Sequence, residues 1–139
     1  MILIHHNPDC GTSRNVLAII RAAGVEPVVI DYQTQGWTRP QLLGLFAAAN
    51  LKPSEALRKS KSPAKALGLL EEGVDEAHIL DQMLEHPILV NRPIVCSPKG
   101  IKLCRPSEAV FELLDNRPNG PLFKESGEML LDKDGNICV

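Results

Sequence analysis

The 139-residue sequence lacks several patterns that define whole classes of protein. No apolar run approaches the ~20 residues that a membrane-spanning helix needs, and no block of like charge extends beyond Glu71-Glu72. The net charge is -2, without the basic face of a duplex-binding domain, so we expect neither a membrane nor a nucleic acid as partner. Met1 leads directly into an apolar run without a charged segment or a cleavage site, so we expect no signal peptide.

Cysteine is scarce and widely spaced. The chain has four, Cys10, Cys96, Cys104 and Cys138. Because they form no CxxC pair, the sequence predicts neither a disulfide framework nor a zinc site. His5 and His6 make a poor metal site as well, since neighbours on a strand face opposite sides. We therefore expect no metal and a cytoplasmic location, where a single cysteine near a strand end is a candidate nucleophile.

The N-terminal segment has the pattern of a βαβ unit. Residues 1–5 and 28–30 are short apolar runs suited to buried strands. Between them, apolar residues recur at helical spacing from Ser13, and Gly24 stands where a helix C-cap belongs. A parallel pairing of the two strands would require a right-handed crossover.

The remaining sequence predicts further helices and one hairpin. Thr38 is expected to cap a helix, and 51–85 to form short helices interrupted by proline and glycine. Two β-prone runs on either side of Pro98-Lys99 predict a hairpin, and 106–114 predicts a final helix. The order βαβ, helical insertion, ββα fits an α/β, thioredoxin-like three-layer fold, with a four-stranded mixed sheet and an inserted helical region.

The chain is long enough for one sizeable core. We predict a single domain over residues 1–115 and a C-terminal tail over 116–139 that packs on this domain or trails from it. The tail is rich in proline, glycine and charge, although 129–131 could pack locally.

Cys10 is placed between the first predicted strand and the first predicted helix. The unpaired amides and the positive dipole end of a helix stabilise a thiolate and attract an oxyanion. His6 and Arg14 are expected to lower the thiol pKa if they point inward. A lone cysteine is often only a small buried apolar residue, but its polar flanks are poor core material. The residues predicted to bind substrate around it are Gly11, Thr12, Ser13 and Arg14.

The spacing around Cys10 narrows its chemistry. A cysteine phosphatase loop needs an arginine about six positions after its cysteine, but that position holds Val16. Ser13 stands where a disulfide oxidoreductase has its second cysteine, so no neighbouring thiol can resolve an adduct on Cys10. Cys96 and Cys104 lie in the predicted hairpin, where a two-residue turn sets Cys96 opposite Ile101. Both are interpreted as packing residues, and the alternative for Cys104, beside Arg105, is a redox role. A resolving thiol must come from elsewhere in the chain or from solution.

Three arginines are candidate ligands for an oxyanion: Arg58, Arg92 and Arg105. Arg92 and Arg105 immediately precede prolines, which favour an extended backbone and so help to aim the side chain. A guanidinium group presents a planar, permanently charged fork that suits a tetrahedral oxyanion better than ammonium does. The alternative for each of them is an ordinary surface charge.

Four blocks of sequence resemble, in order, the ArsC family of arsenate reductases linked to glutaredoxin. These blocks are His6-Asn7-Pro8-Asp9-Cys10-Gly11-Thr12-Ser13-Arg14-Asn15, Leu57-Arg58-Lys59, His86-Pro87-Ile88-Leu89-Val90-Asn91-Arg92-Pro93-Ile94-Val95 and Leu103-Cys104-Arg105-Pro106-Ser107-Glu108. The resemblance implies a thioredoxin-like fold, with Pro93 as a cis-proline. It implies that Cys10 is the nucleophile, that His6 favours its thiolate, and that arginines 58, 92 and 105 surround the arsenic oxyanion.

The resemblance also implies the reaction. Arsenate would be reduced to arsenite through an adduct between the Cys10 thiolate and arsenic, with glutathione as co-substrate, glutaredoxin as partner and no bound cofactor. Two alternatives share the fold: a transcription regulator of the Spx type, and a glutathione-dependent thiol reductase without arsenate activity. The redox form of Spx-type regulators commonly has CxxC where this chain has Cys10-Gly11-Thr12-Ser13.

Overall fold

A computed structural model of the chain describes residues 1–138. The chain forms two compact units, unit 1 from residues 1–31 and from 92 onwards, and unit 2 from residues 32–91. The predicted tail, 116–139, belongs to unit 1, although its last residue, Val139, lies outside the described residues. Within the described part of the chain, no helix has the length and apolar character needed to cross a bilayer.

Unit 1 is built on a four-stranded mixed sheet. Its strands are β1 (Leu3–His6), β2 (Val28–Asp31), β3 (Ile94–Ser97) and β4 (Gly100–Leu103), in the spatial order β2-β1-β3-β4. Strand β1 pairs in parallel with β2 and antiparallel with β3, which in turn pairs antiparallel with β4. This is the predicted α/β sheet, and Cys96 lies opposite Ile101 in the hairpin as expected from the two-residue turn.

Helix α1 (Gly11–Ala22) connects the two parallel strands. It begins two residues before the predicted start at Ser13, because Cys10 serves as the N-cap residue. The buried side chains of Val16, Ile19 and Ile20 join residues of β1 and β3 in the core of unit 1. The first strand and the first helix thus fix the junction at which Cys10 lies.

The segment after β4 corrects one prediction. Residues 106–114 were expected to form an α-helix, but Ser107–Leu113 is a 3₁₀ helix. Its buried residues Ser107, Val110 and Leu113 recur every third position, which matches the three residues per turn of a 3₁₀ helix. Val110 and Leu113 pack into the same core as α1.

The tail forms a small sheet of its own. Strands β5 (Leu122–Phe123) and β6 (Met129–Leu131) pair antiparallel, and Leu130 of β6 is part of the unit 1 core. Gly120 approaches the backbone so closely that a Cβ at this position would lie 1.6 Å from the carbonyl oxygen of Asp132. The polar composition of the tail therefore conceals a packed element.

Unit 2 contains the helical insertion. Its α-helices are α2 (Tyr32–Gln35), α3 (Arg39–Ala49) and α4 (Glu76–Glu85), and a short 3₁₀ helix spans Pro87–Leu89. Thr38 caps α3 as predicted, in a reciprocal capping box with Gln41. The short helices expected throughout 51–85 are wrong for 51–75, which consists mainly of turns and bends; the regular helix of this stretch begins at Glu76, after Asp75.

Candidate active site

Cys10 occupies the junction between β1 and α1. Its backbone is extended, with φ -104° and ψ 122°, and its carbonyl oxygen accepts a hydrogen bond from the Arg14 N–H at 2.9 Å. Its own N–H donates to the Asn7 carbonyl at 3.1 Å. The side chain is only 6% exposed. The thiol therefore lies at the positive end of a helix dipole, mostly shielded from water.

The surroundings of Cys10 lower its thiol pKa. Burial is the largest single influence and raises the pKa, but the opposing contributions together outweigh it. The backbone N–H of Ser13 donates a hydrogen bond to the sulfur, and the positive charge of Arg92 adds to this effect. Arg105 contributes both a hydrogen bond and its charge. A larger fraction of this thiol is therefore thiolate at neutral pH than for an ordinary cysteine.

Arg105 makes direct contact with the thiol. Its Nη1 lies 3.7 Å from the Cys10 Sγ and also donates to the carbonyl oxygen of Arg92 at 3.1 Å. The Arg92–Pro93 and Arg105–Pro106 peptide bonds are both cis. Two of the three predicted arginines are thus brought to the predicted nucleophile, although they follow it by more than eighty positions in the chain.

His6 contacts Ser13, an interaction that the sequence did not indicate. Its Nδ1 lies 2.6 Å from the Ser13 Oγ, which also accepts the Asn7 N–H at 3.1 Å. Because the hydroxyl oxygen accepts from Asn7, its single proton is available for Nδ1, an arrangement that suits a neutral imidazole. Burial lowers the pKa of His6 and nearby Arg21 and Arg14 add to this, while Asp31 opposes it.

The effect of His6 on the thiolate stays a prediction. The groups that lower the Cys10 pKa in the structure are Ser13, Arg92 and Arg105. His6 holds the side chain of Ser13 through the hydrogen bond between Nδ1 and Oγ, and the backbone N–H of the same serine donates to the sulfur. The Ser13 hydroxyl is fully buried and bonds to Asn7 and His6. Ser13 therefore acts on the Cys10 sulfur through its backbone N–H.

Arg14 is also oriented differently from the expectation. Its guanidinium forms a fork with Glu125, with Nε 2.8 Å from Oε2 and Nη2 3.1 Å from Oε1, and its Nη1 donates to the Pro8 carbonyl at 2.8 Å. The side chain is 44% exposed. Gly11 and Thr12 lie in the first turn of α1, where the amides of a helix start lack partners within the helix. That these amides bind an oxyanion stays a prediction.

Arg58 lies in unit 2 and is described there by itself. Its backbone N–H donates to the Leu89 carbonyl at 2.8 Å, and its Nε donates to the Ser60 carbonyl at 3.1 Å. The residue is 9% exposed. An arginine as buried as this differs from the surface charge that was the alternative interpretation.

The other cysteines have different environments. Cys104 is fully buried in the unit 1 core, and burial raises its pKa to about 12. Burial also raises the pKa of the half-buried Cys96, while Cys138 is exposed. All four cysteines are free thiols. Among residues 1–138, no three His, Cys, Asp or Glu side chains come together where they could hold a metal ion.

Sequence reasoning missed two residues near the site. Asn7 is buried; its Oδ1 accepts the Asp9 N–H at 2.9 Å and its carbonyl accepts the Cys10 N–H. The Asn-Pro-Asp sequence is a signal for such a turn. Glu125, the partner of Arg14, follows it by 111 positions and has no local signature.

Together, the mixed sheet and the helix that begins directly after Cys10 define a protein with a thioredoxin-like fold. The chain belongs to the ArsC family, whose model matches residues 5–113. It is 66% identical over 136 residues to Arsenate reductase ArsI2 of Synechocystis sp., covering 98% of this chain and 97% of that protein. It is 46% identical over 134 residues to an Escherichia coli arsenate reductase, covering 96% and 95%.

A solved structure gives the same fold. The arsenate reductase from Vibrio cholerae superimposes with a TM-score of 0.76 at 32% identity, covering 81% of this chain and 97% of that one. The predicted thioredoxin-like fold and the resemblance to the ArsC family are both confirmed. The individual site residues remain predictions whose placement the structure describes.

Proposed function

We propose that this protein is an oxidoreductase that reduces arsenate to arsenite, with Cys10 as the nucleophile. The observation that carries the proposal is the Cys10 thiol at the start of α1, with its pKa lowered and Arg105 Nη1 3.7 Å from the sulfur. The relatives that share most of its length are arsenate reductases. A thiolate next to guanidinium groups is suited to attack the centre of an oxyanion.

In the first step, the Cys10 thiolate attacks arsenic(V), and an arsenate oxygen leaves as water after protonation. Arg92 and Arg105 balance the negative charge on the remaining oxygens, and the amides of the first turn of α1 donate to them. Arg58 is retained as a substrate ligand because it matches the family pattern in Leu57-Arg58-Lys59. Arsenic stays in the +5 state throughout this step.

Reduction then requires two electrons from thiols. Glutathione displaces a second water from arsenic, and a glutaredoxin thiolate attacks the glutathione sulfur to form a mixed disulfide. The electron pair of the sulfur–arsenic bond remains on arsenic, which becomes arsenic(III). Water then releases arsenite and restores the Cys10 thiol.

Three features support an external thiol as the donor. Ser13 cannot form a disulfide with Cys10, Cys104 is buried with a pKa near 12, and the pKa of Cys96 is raised as well. A protonated, buried thiol is a poor attacking group. We therefore infer dependence on glutathione and glutaredoxin, and a location in the reducing cytoplasm.

The test is arsenite formation by the purified protein with glutathione and glutaredoxin, omitting each component in turn. We expect turnover only in the complete mixture, and a glutathione-containing adduct that disappears in Cys10→Ser. Efficient turnover with thioredoxin and its reductase alone, lost in Cys104→Ser, would overturn the donor assignment. No arsenite but rapid reduction of glutathione mixed disulfides would identify a thiol reductase instead.

A further inference from the structure

The tail hairpin, residues 122–131, bonds to both segments of unit 1 that supply site groups, the one with the Cys10 thiol and the one with Arg105. Its turn carries Lys124 and Glu125 side by side, and each one pairs with a different segment of unit 1. The family model ends at residue 113, before this hairpin begins. The hairpin is therefore a candidate for a role that the family match does not describe.

Glu125 attaches the hairpin to the segment that carries Cys10. Its carboxylate forms the two-bond fork with Arg14, and its backbone N–H donates to the Asn15 Oδ1 at 3.0 Å. Arg14 links Glu125 to the residues before Cys10, because its Nη1 donates to the carbonyl of Pro8, two residues before Cys10. An exposed ion pair alone contributes little, but here a backbone bond holds the partners in register.

Lys124 attaches the hairpin to the segment that carries Arg105. Its Nζ lies 2.7 Å from the Glu108 Oε1, and the side chains of the pair are only 17% and 13% exposed. Glu108 lies in the first turn of the Ser107–Leu113 helix, three residues after Arg105. A shielded, charge-assisted bond of this kind holds its partners more firmly than an exposed one.

The two attachments meet across one contact. Cys10 follows Pro8, Arg105 precedes Glu108, and the bond between them is the 3.7 Å contact of Arg105 Nη1 with the Cys10 Sγ. We propose that the tail hairpin is a brace that sets this contact, with Lys124 and Glu125 as positioning residues. The role in catalysis rests on the proposed function, whereas the positioning of the thiol does not.

The structure provides a matched control on the same helix. Arg21 forms an exposed fork with Glu26, with Nη2 2.9 Å from Oε1, near the end of α1 opposite Cys10. Glu26→Gln removes the same kind of ion pair as Glu125→Gln, but no hairpin depends on it. Lys124→Arg keeps the charge that Lys124→Gln removes.

The experiment measures the Cys10 thiol pKa by thiolate absorbance in Glu125→Gln, Lys124→Gln and the two controls. We expect the pKa of Cys10 to rise in the first two, because Arg105 is no longer held against the sulfur. Glu26→Gln and Lys124→Arg should match the wild type. The kcat/KM for arsenate should fall by about threefold to tenfold in the first two variants, since small misplacements of reacting groups slow catalysis.

Two results would overturn the proposal that the tail hairpin is a brace. One is an unchanged Cys10 pKa in both Glu125→Gln and Lys124→Gln. The other is a lower Cys10 pKa in Glu125→Gln, which would show that Glu125 merely neutralises Arg14. If Lys124→Gln does not fold, the Cys10 pKa of the exposed Glu125→Gln variant still tests whether the hairpin positions the contact. If the wild type forms no arsenite, the proposed function fails while the thiol titration still tests the brace.

Discussion

Cys10 and Cys104 are two thiols of unit 1 with opposite chemistry. Both are almost inaccessible, at 6% and 0% exposed, yet the pKa of Cys10 is lowered while burial raises that of Cys104 to about 12. Burial is the largest influence on each. The difference is that Cys10 also receives a backbone N–H and two guanidinium charges. Shielding from water raises the pKa of both thiols, and the donors aimed at the Cys10 sulfur reverse the direction there.

Sequence neighbours give a misleading account of these two thiols. Arg105 is adjacent to Cys104, but its Nη1 contacts Cys10, 95 positions away. Arg14 is one turn from Cys10, but its guanidinium is held by Glu125 and Pro8. A basic residue beside a cysteine in sequence is thus weak grounds for calling that cysteine reactive.

Replacing each thiol with a hydroxyl should separate the two roles most sharply. Cys10→Ser should abolish arsenate reduction with little change in stability. Cys104→Ser should keep its activity per folded molecule but lose about 1–3 kcal/mol of unfolding free energy, because it puts a hydroxyl into an apolar core. Arsenite assays and thermal denaturation on both variants provide the check. Substantial activity in Cys10→Ser would end its assignment as nucleophile.

Alkylation over a range of pH tests the same comparison without arsenate. The Cys10 thiol should react with iodoacetamide at a lower pH than free cysteine, whose thiol pKa is about 8.5, because its own pKa is lowered. Cys104 should react at least about a hundredfold more slowly than Cys10 at neutral pH, since thiolate is the reacting form. Peptide mass mapping reports each site. A Cys10 thiol that titrates no lower than free cysteine would contradict the described surroundings.

Replacing the guanidinium groups around Cys10 should reduce activity less than replacing Cys10 itself. Arg92→Lys and Arg105→Lys should each reduce kcat/KM for arsenate by about tenfold or more, because lysine keeps the charge but loses the planar fork. Arg21→Lys, in the exposed pair with Glu26, is a matched control. Wild-type kinetics in both site variants would return Arg92 and Arg105 to the surface-charge alternative.

The buried side chain of His5 makes the stability of the fold depend on pH. Burial lowers the pKa of His5 to about 4, so between this value and its ordinary pKa the unfolded chain binds a proton that the folded chain does not. The free energy of unfolding should therefore fall by about 1.5 kcal/mol as the pH drops from about 6.5 to about 5. His5→Gln should flatten this slope, because it removes the group that titrates. An equal slope in His5→Gln would contradict the lowered pKa.

Local patterns predicted much of the fold. The apolar runs of β1 and β3, the turn at Pro98-Lys99 and the cap at Thr38 have chemistry confined to a few neighbouring residues, and each is present in the structure. The 3₁₀ helix Ser107–Leu113 was mistaken for an α-helix because a short apolar segment fits both periods. The packed tail was uncertain because Leu130 is buried by distant residues of the core.

The sheet, the α1 junction, the position of Cys10 there and the absence of a second thiol at position 13 could all be predicted from the sequence. These depend on backbone preferences and spacing within one segment, and the ordered ArsC blocks added the family. Three contacts became visible only in the folded chain: Arg105 with the Cys10 sulfur, His6 with Ser13, and Glu125 with Arg14. Charges and hydrogen bonds act over a few ångströms in space, whereas the residues that meet here lie up to 111 positions apart in the chain.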